Sequence, residues 1–210
     1  MEYYNYIQNG DDSELSTAFI YGNRRNSSYK GEGMIVRDAL GAIAKYGTVP
    51  EDMYHYLIEV PKAIELFEAE GDALFPVSYP HRITEYVRLN DENSIKLALM
   101  AGFPVPFAIS WFNDMRVDKD GVLHTDFKKN AGGHCMLIYG WNETGWKVLN
   151  SWGENWGNKG RFIYPYEYPI TEAWAIVDDN VEGIVIKKPY KTKIGKLYAK
   201  VANKIRNIFK

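Results

Sequence analysis

A chain of 210 residues is long enough for one sizeable domain or two small lobes that share an interface. With 46% hydrophobic and 25% charged residues the composition is globular, which excludes a disordered chain. No apolar stretch approaches bilayer length, and the first residues, Met1 to Glu14, lack the basic and apolar regions of a signal peptide, so the chain as given reads as soluble and without an export signal.

Glu2 to Gln8, with aromatic residues at 3, 4 and 6, reads as the end of a helix stopped by Asn9-Gly10. Asp11 to Glu14 offers cap residues for a short helix over Leu15 to Tyr21. Ile35 to Tyr46 is the clearest helix of the first half: Ile35, Val36, Ala39, Leu40, Ile43 and Ala44 fall on one face, and Gly47 follows as a stop. Pro61 to Glu70 repeats the pattern with proline in the first turn and Gly71 after it. Asn93 or Ser94 can cap a fourth helix, Ile95 to Ala101, stopped by Gly102. From Pro104 the pattern becomes strand-like, in Val105 to Phe112, around His134 and Trp146, in Gly160 to Tyr164 and Ala173 to Val177, with Val181 to Ile186 as a last candidate. A helical first half and a β-rich second half make an α+β chain.

The segment from Gly132 to Gly157 carries the chemistry. His134 opens an apolar run, Met136 to Tyr139, that reads as a buried strand. Gly140 to Gly145 has the composition of a hairpin connection, and Trp146 to Leu149 returns antiparallel. That path folds Asn150 back towards His134. A histidine acting as general base needs a fixed tautomer and ring orientation, and a side-chain amide can hold one ring nitrogen. Trp152 is placed to cover the pair from water. Taken singly, the two residues read as a core histidine and a turn asparagine in an ordinary hairpin.

The whole run tells more. Gly-Gly-His, a hydrophobic strand ending in Tyr-Gly-Trp, then Asn-Ser-Trp-Gly and Trp-Gly-Asn-Lys-Gly-Arg-Phe, resembles the histidine and asparagine segments of papain-like cysteine peptidases. Leu15-Ser16, Arg24-Arg25, Gly31-Glu32-Gly33, Arg37-Asp38-Ala39-Leu40 and Tyr46-Gly47 are similar to the helical lobe of bacterial-type members, and Asp91 to Pro104 to their crossing into the second lobe. Pro165-Tyr166-Glu167-Tyr168, with Trp174 beyond, resembles their closing segment. The resemblance covers about residues 2 to 178. It implies a two-lobed papain-like α+β fold over 1–186, helical to about 103 and antiparallel β-rich from about 104, acting on a peptide or protein substrate with no cofactor. It also implies His134 as base, Asn150 as its orienting partner and Trp152 as their shield.

Two parts of that family's machinery have no counterpart here: the nucleophilic cysteine at the start of the long helix, and the glutamine of the oxyanion hole. Glu2 to Ile7 resembles the last turns of that helix, so the first lobe is expected to be truncated at its N-terminus and the 210 residues to be inert alone. Cys135 is the chain's one cysteine, which excludes an intrachain disulfide and is compatible with a cytoplasmic setting. It is next to His134, and successive strand side chains point to opposite faces, so it cannot serve as nucleophile to that base. By family position Cys135 and Gly133 touch a pocket for a substrate side chain, with Gly31, Gly33 and Met34 as its opposite wall or, equally, as a plain loop before a helix. Trp111 and Trp156 read as core aromatics. The four histidines are too scattered for a metal site.

Beyond Ile186 the composition shifts. Residues 187–210 hold nine basic side chains and no acidic one, which leaves 16 of the 25 basic residues elsewhere against 27 acidic ones. Ile194, Leu197, Tyr198, Val201, Ile205, Ile208 and Phe209 recur at helical spacing away from most of the lysines, the pattern of a basic amphipathic helix. An anionic membrane surface or a protein partner would suit residues 190–210; so would packing on the chain's own acidic body. The completeness of the apolar stripe disfavours nucleic acid. Three functions follow: a cysteine-type peptidase, a peptide-binding pseudoenzyme that keeps the cleft without the chemistry, and an interaction protein acting through this tail.

Overall fold

The computed structural model describes residues 2, 10, 13–24, 29, 32–54 and 60–177. The expected helix end at 2–8, the strand at 181–186 and the tail at 187–210 lie outside them, apart from Glu2. The described chain divides into two units, one reaching Tyr86 and including Val177, the other running from Val87 to Ile176.

The first unit is helical. Helix α1 (Thr17–Gly22) starts at Ser16, whose Oγ accepts from the Phe19 N–H at 3.0 Å; the cap is therefore one residue inside the predicted helix rather than in 11–14. Helix α2 (Val36–Tyr46) ends at Gly47 in a left-handed conformation, φ 75°, and its N–H donates to the Ile43 carbonyl at 2.9 Å. Helix α3 (Val60–Glu70) lies against α1, where a Cβ on Gly22 would stand 2.7 Å from the Ala63 carbonyl oxygen. That proximity lets Phe19 meet Phe67 edge-on at 5.0 Å and Tyr54 at 5.6 Å, and Ala18, Val49 and Ala63 complete this small core. A short α4 (Phe75–Ser78) lies between two single-turn 3₁₀ segments.

The second unit is an antiparallel sheet with one helix. Strands β1 (Glu85–Leu89), β2 (Val105–Phe112), β5 (Asn130–Trp141), β6 (Gly145–Leu149), β7 (Arg161–Pro165) and β8 (Glu172–Val177) stand in the order β1-β8-β2-β5-β6-β7, while β3 (Arg116–Val117) and β4 (Leu123–His124) form a separate ribbon. Helix α5 (Glu92–Met100) is capped by Asp91, which accepts from the Ser94 N–H at 2.7 Å while the Ser94 hydroxyl accepts from the Asp91 N–H at 3.2 Å. Ser94, read from sequence as a cap, is the returning arm of a capping box. By sequence this helix falls in the helical part, before about residue 103. It belongs to the β-rich unit because Ile95 and Ala98 share one core with Val105, Phe107, Ile138 and Val148. Strand β1 has no counterpart among the elements read from sequence: EYVRL has no clean alternation, as suits a strand at the end of the sheet.

Ile138 and Val148 face each other across β5 and β6 with no exposed surface. Ile138→Ala would remove the central side chain of that row, and we expect a loss of about 2–5 kcal/mol in a denaturant titration.

Candidate active site

In β5, His134, Met136 and Ile138 alternate onto the core face, whereas Gly133, Cys135 and Leu137 take the other. On β6 the same face carries Trp146 and Val148, and the alternation runs on to Asn150, 5% exposed, just beyond the strand end. Pairing of Leu137 with Leu149 and Ile138 with Val148 brings the two polar residues together: His134 Nε2 lies 2.9 Å from Asn150 Oδ1. The Ser151 N–H donates to the same oxygen at 2.8 Å, so the oxygen, not the amide nitrogen, faces the imidazole. Nε2 must then carry the proton, and in the neutral ring Nδ1 keeps its lone pair. The backbone is fixed as well, by Asn150 N–H to the Gly160 carbonyl at 2.8 Å. The Asn150 Nδ2 group is buried with no hydrogen-bond partner among the described residues.

Trp152 stacks on the imidazole, with centroids 4.7 Å apart and planes at 28°, and its outer side is exposed. Trp111 and Trp156 do pack on the core as read from sequence, yet both also belong to this cluster. Trp111 meets His134 at 5.2 Å and Trp152 at 4.8 Å, edge to face, and Trp156 meets Trp152 at 5.2 Å. From sequence alone Trp111 reads only as a core aromatic. The signal was parity: Trp111 is two residues from Ile109, and Ile109 is the β2 partner of His134.

Cys135 is on the opposite face from His134. Pairing places it in one row with Ala108 of β2 and Glu172 of β8. The residue is exposed overall, but the sheet desolvates its thiol and Glu172 adds a repulsive charge, pushing the pKa up to about 11. A thiol so shifted is a poor nucleophile near neutrality. Gly133 shares that face, and a Cβ there would meet nothing within 4 Å. In the first unit, Gly33 has φ 90° and donates its N–H to Tyr21 Oη at 3.2 Å, while Arg24 also donates to that oxygen. Met34 lines a cavity of about 220 Å³ with Arg37, Lys45 and Tyr86. Gly31 lies outside the described residues. Among the described residues no group of three or more His, Cys, Asp or Glu is arranged to hold a metal ion.

The pattern that describes the papain family of cysteine proteases matches residues 1–168. The chain belongs to that family. An uncharacterized peptidase C1-like protein of Acanthamoeba polyphaga mimivirus is 33% identical over 172 residues, which are 75% of this chain and 55% of that protein. A gut-specific cysteine proteinase of Caenorhabditis elegans is 38% identical over 84 residues, 38% of this chain and 26% of its own. The chain thus spans little more than half of the first of these curated relatives and about a quarter of the second. Xylellain, a cysteine protease from Xylella fastidiosa, superposes with a TM-score of 0.70 at 25% identity over 84% of this chain and 75% of its own. These matches and the mixed helical and antiparallel architecture make the fold α+β and papain-like.

Asn150→Ala leaves the His134 Nε2–H and the Ser151 N–H without their acceptor, and we expect about 1–3 kcal/mol of lost stability. Alkylation of Cys135 by iodoacetamide should accelerate about tenfold per pH unit between roughly pH 7 and 10, because the thiolate stays scarce throughout that range; a plateau near pH 9 would contradict the desolvated setting of the thiol.

Proposed function

We propose that this chain carries the base and its orienting partner for papain-type hydrolysis of peptide bonds. The observation that supports the reading is the 2.9 Å His134–Asn150 contact, with the amide oxygen oriented by Ser151 so that Nδ1 keeps its lone pair. In this role Nδ1 takes the proton of a thiol, giving a thiolate–imidazolium pair. The thiolate adds to the substrate carbonyl carbon, and the imidazolium returns its proton to the leaving amine as the C–N bond breaks. Water then attacks the thioester, His134 accepting its proton and passing it to the released sulfur. Asn150 holds the ring, and Trp152 shields their hydrogen bond from water, which strengthens it.

The thiol in this scheme is not Cys135, which faces away from the imidazole and ionises with difficulty. Neither the family's nucleophile nor its oxyanion glutamine has a counterpart among these 210 residues. Alone, the chain is therefore a scaffold without the attacking atom. A peptide-binding pseudoenzyme is the alternative, and a residue other than cysteine at the nucleophile position would favour it. Gly133 and Cys135, on one face of β5, are the proposed contacts for a substrate side chain in the second unit.

The test is thiol-dependent turnover. The 210-residue chain should not hydrolyse peptide substrates. Joined to a helical segment that bears the family's glutamine and cysteine, it should acquire a thiol labelled by a peptidyl electrophile. His134→Ala should then lower turnover by about 10²–10⁴-fold. Turnover by the unextended chain that Cys135→Ser abolishes would reverse the assignment.

The sequence of 187–210, outside the described residues, supports a second activity: attachment to an anionic membrane surface, with each basic side chain contributing about 1 kcal/mol near the surface. Vesicles rich in phosphatidylserine should bind the chain at low salt and release it at high salt, and removal of 190–210 should abolish binding while the body stays folded. Unchanged binding with lower stability would instead mean that the apolar stripe packs on the protein itself.

A further inference from the structure

The bond from Nε2 to Asn150 does not by itself fix the imidazole. The ring is held at Cβ by the chain and at Nε2 by the amide, so it can still rock about the line joining those points, and rocking swings Nδ1 while the hydrogen bond survives. The ring faces must be held too. Trp152 covers one face, at 4.7 Å and 28°, but it stands on the turn after Asn150 and is 46% exposed, a weak support taken alone.

Trp111 stands differently. It lies on β2, paired with Gly132 of β5, which has no side chain to occupy the row beside His134. Its indole is at 77° to the imidazole, 5.2 Å away, and at 77° to the Trp152 ring, 4.8 Å away. One ring is thus nearly perpendicular to both members of a stacked pair and in contact with both. It is itself half-buried and 6.1 Å from Trp156, whose ring meets Trp152 at 90°.

We propose that Trp111 is a positioning residue for His134: a strand-borne brace that keeps Trp152 stacked on the imidazole and so holds Nδ1 in one direction. This inference rests on the assignment of His134 as the base for its meaning, but the brace can be measured in the 210-residue chain without turnover. The readout is exchange of the imidazole Nε2–H proton with water, followed by nuclear magnetic resonance beside the backbone amide protons of β5 and β6. An aromatic contact of this kind is worth enough for Trp111→Ala to speed ring-proton exchange roughly three- to tenfold. The strand amides should change much less, and the stacking shift of the His134 ring protons from Trp152 should shrink.

Trp111→Phe, which keeps a ring edge, should restore most of the protection, and Trp111→Leu should not. If ring proton and strand amides accelerate by the same factor, Trp111 serves the fold as a whole and the proposal fails. It fails also if ring-proton exchange is unchanged. Neither result bears on the proposed peptidase reading, which stands or falls on thiol-dependent turnover.

Discussion

The pairing of β5 with β6 is the constraint on which the site depends. It sets Ile138 against Val148 in a row closed to water, and side-chain parity on either strand then delivers His134 and Asn150 to the same face. A one-residue slip of either strand would turn its own polar residue to the other side, away from its partner, and leave its hydrophobic residues outside. The energy that opposes the slip is hydrophobic and lies two rows away from the chemistry. The hydrogen bond at the site therefore inherits its geometry from a core that contains no reactive group.

The same parity separates His134 from the chain's one cysteine. His134 and Cys135 are covalent neighbours, yet one looks toward Asn150 and the aromatic cluster while the other looks along the row to Ala108 and Glu172. Their environments differ accordingly: the imidazole has an acceptor on one nitrogen and a ring on its face, whereas the thiol has a carboxylate nearby and an elevated pKa. Adjacent positions on a strand are chemically remote.

Much of this was legible in the sequence because it depends on period and punctuation. The α2 boundaries, the span of β2 and the return of β6 follow from apolar spacing and from Gly47, Gly140 and Gly145. What was not legible depends on partners distant in the chain. Strand β1 carries little apolar signal of its own and exists because a neighbour offers an edge. The sequence shows which residues of α5 are apolar but not which core receives them. Trp111 reads from sequence as a core ring; its parity with Ile109 leads to the imidazole only once the β2–β5 register pairs Ile109 with His134. The sequence offers Asn93 or Ser94 as the cap of α5; Asp91 and Ser94 are both competent caps, and only their reciprocal bonds decide the order.

The irregularity in β5 between Ile138 and Gly140 has an evolutionary corollary. It divides the hairpin into two segments, one carrying the Trp141–Trp146 pair near the tip and the other the Ile138–Val148 row beside the site. A bulge of this kind uncouples their registers, since the inner row is pinned by burial and the extra residue takes up the mismatch. Insertions and deletions in the connecting turn can then accumulate without moving Asn150 relative to His134. The hairpin tip is free to diversify among descendants, and the polar pair at its base is insulated from that drift.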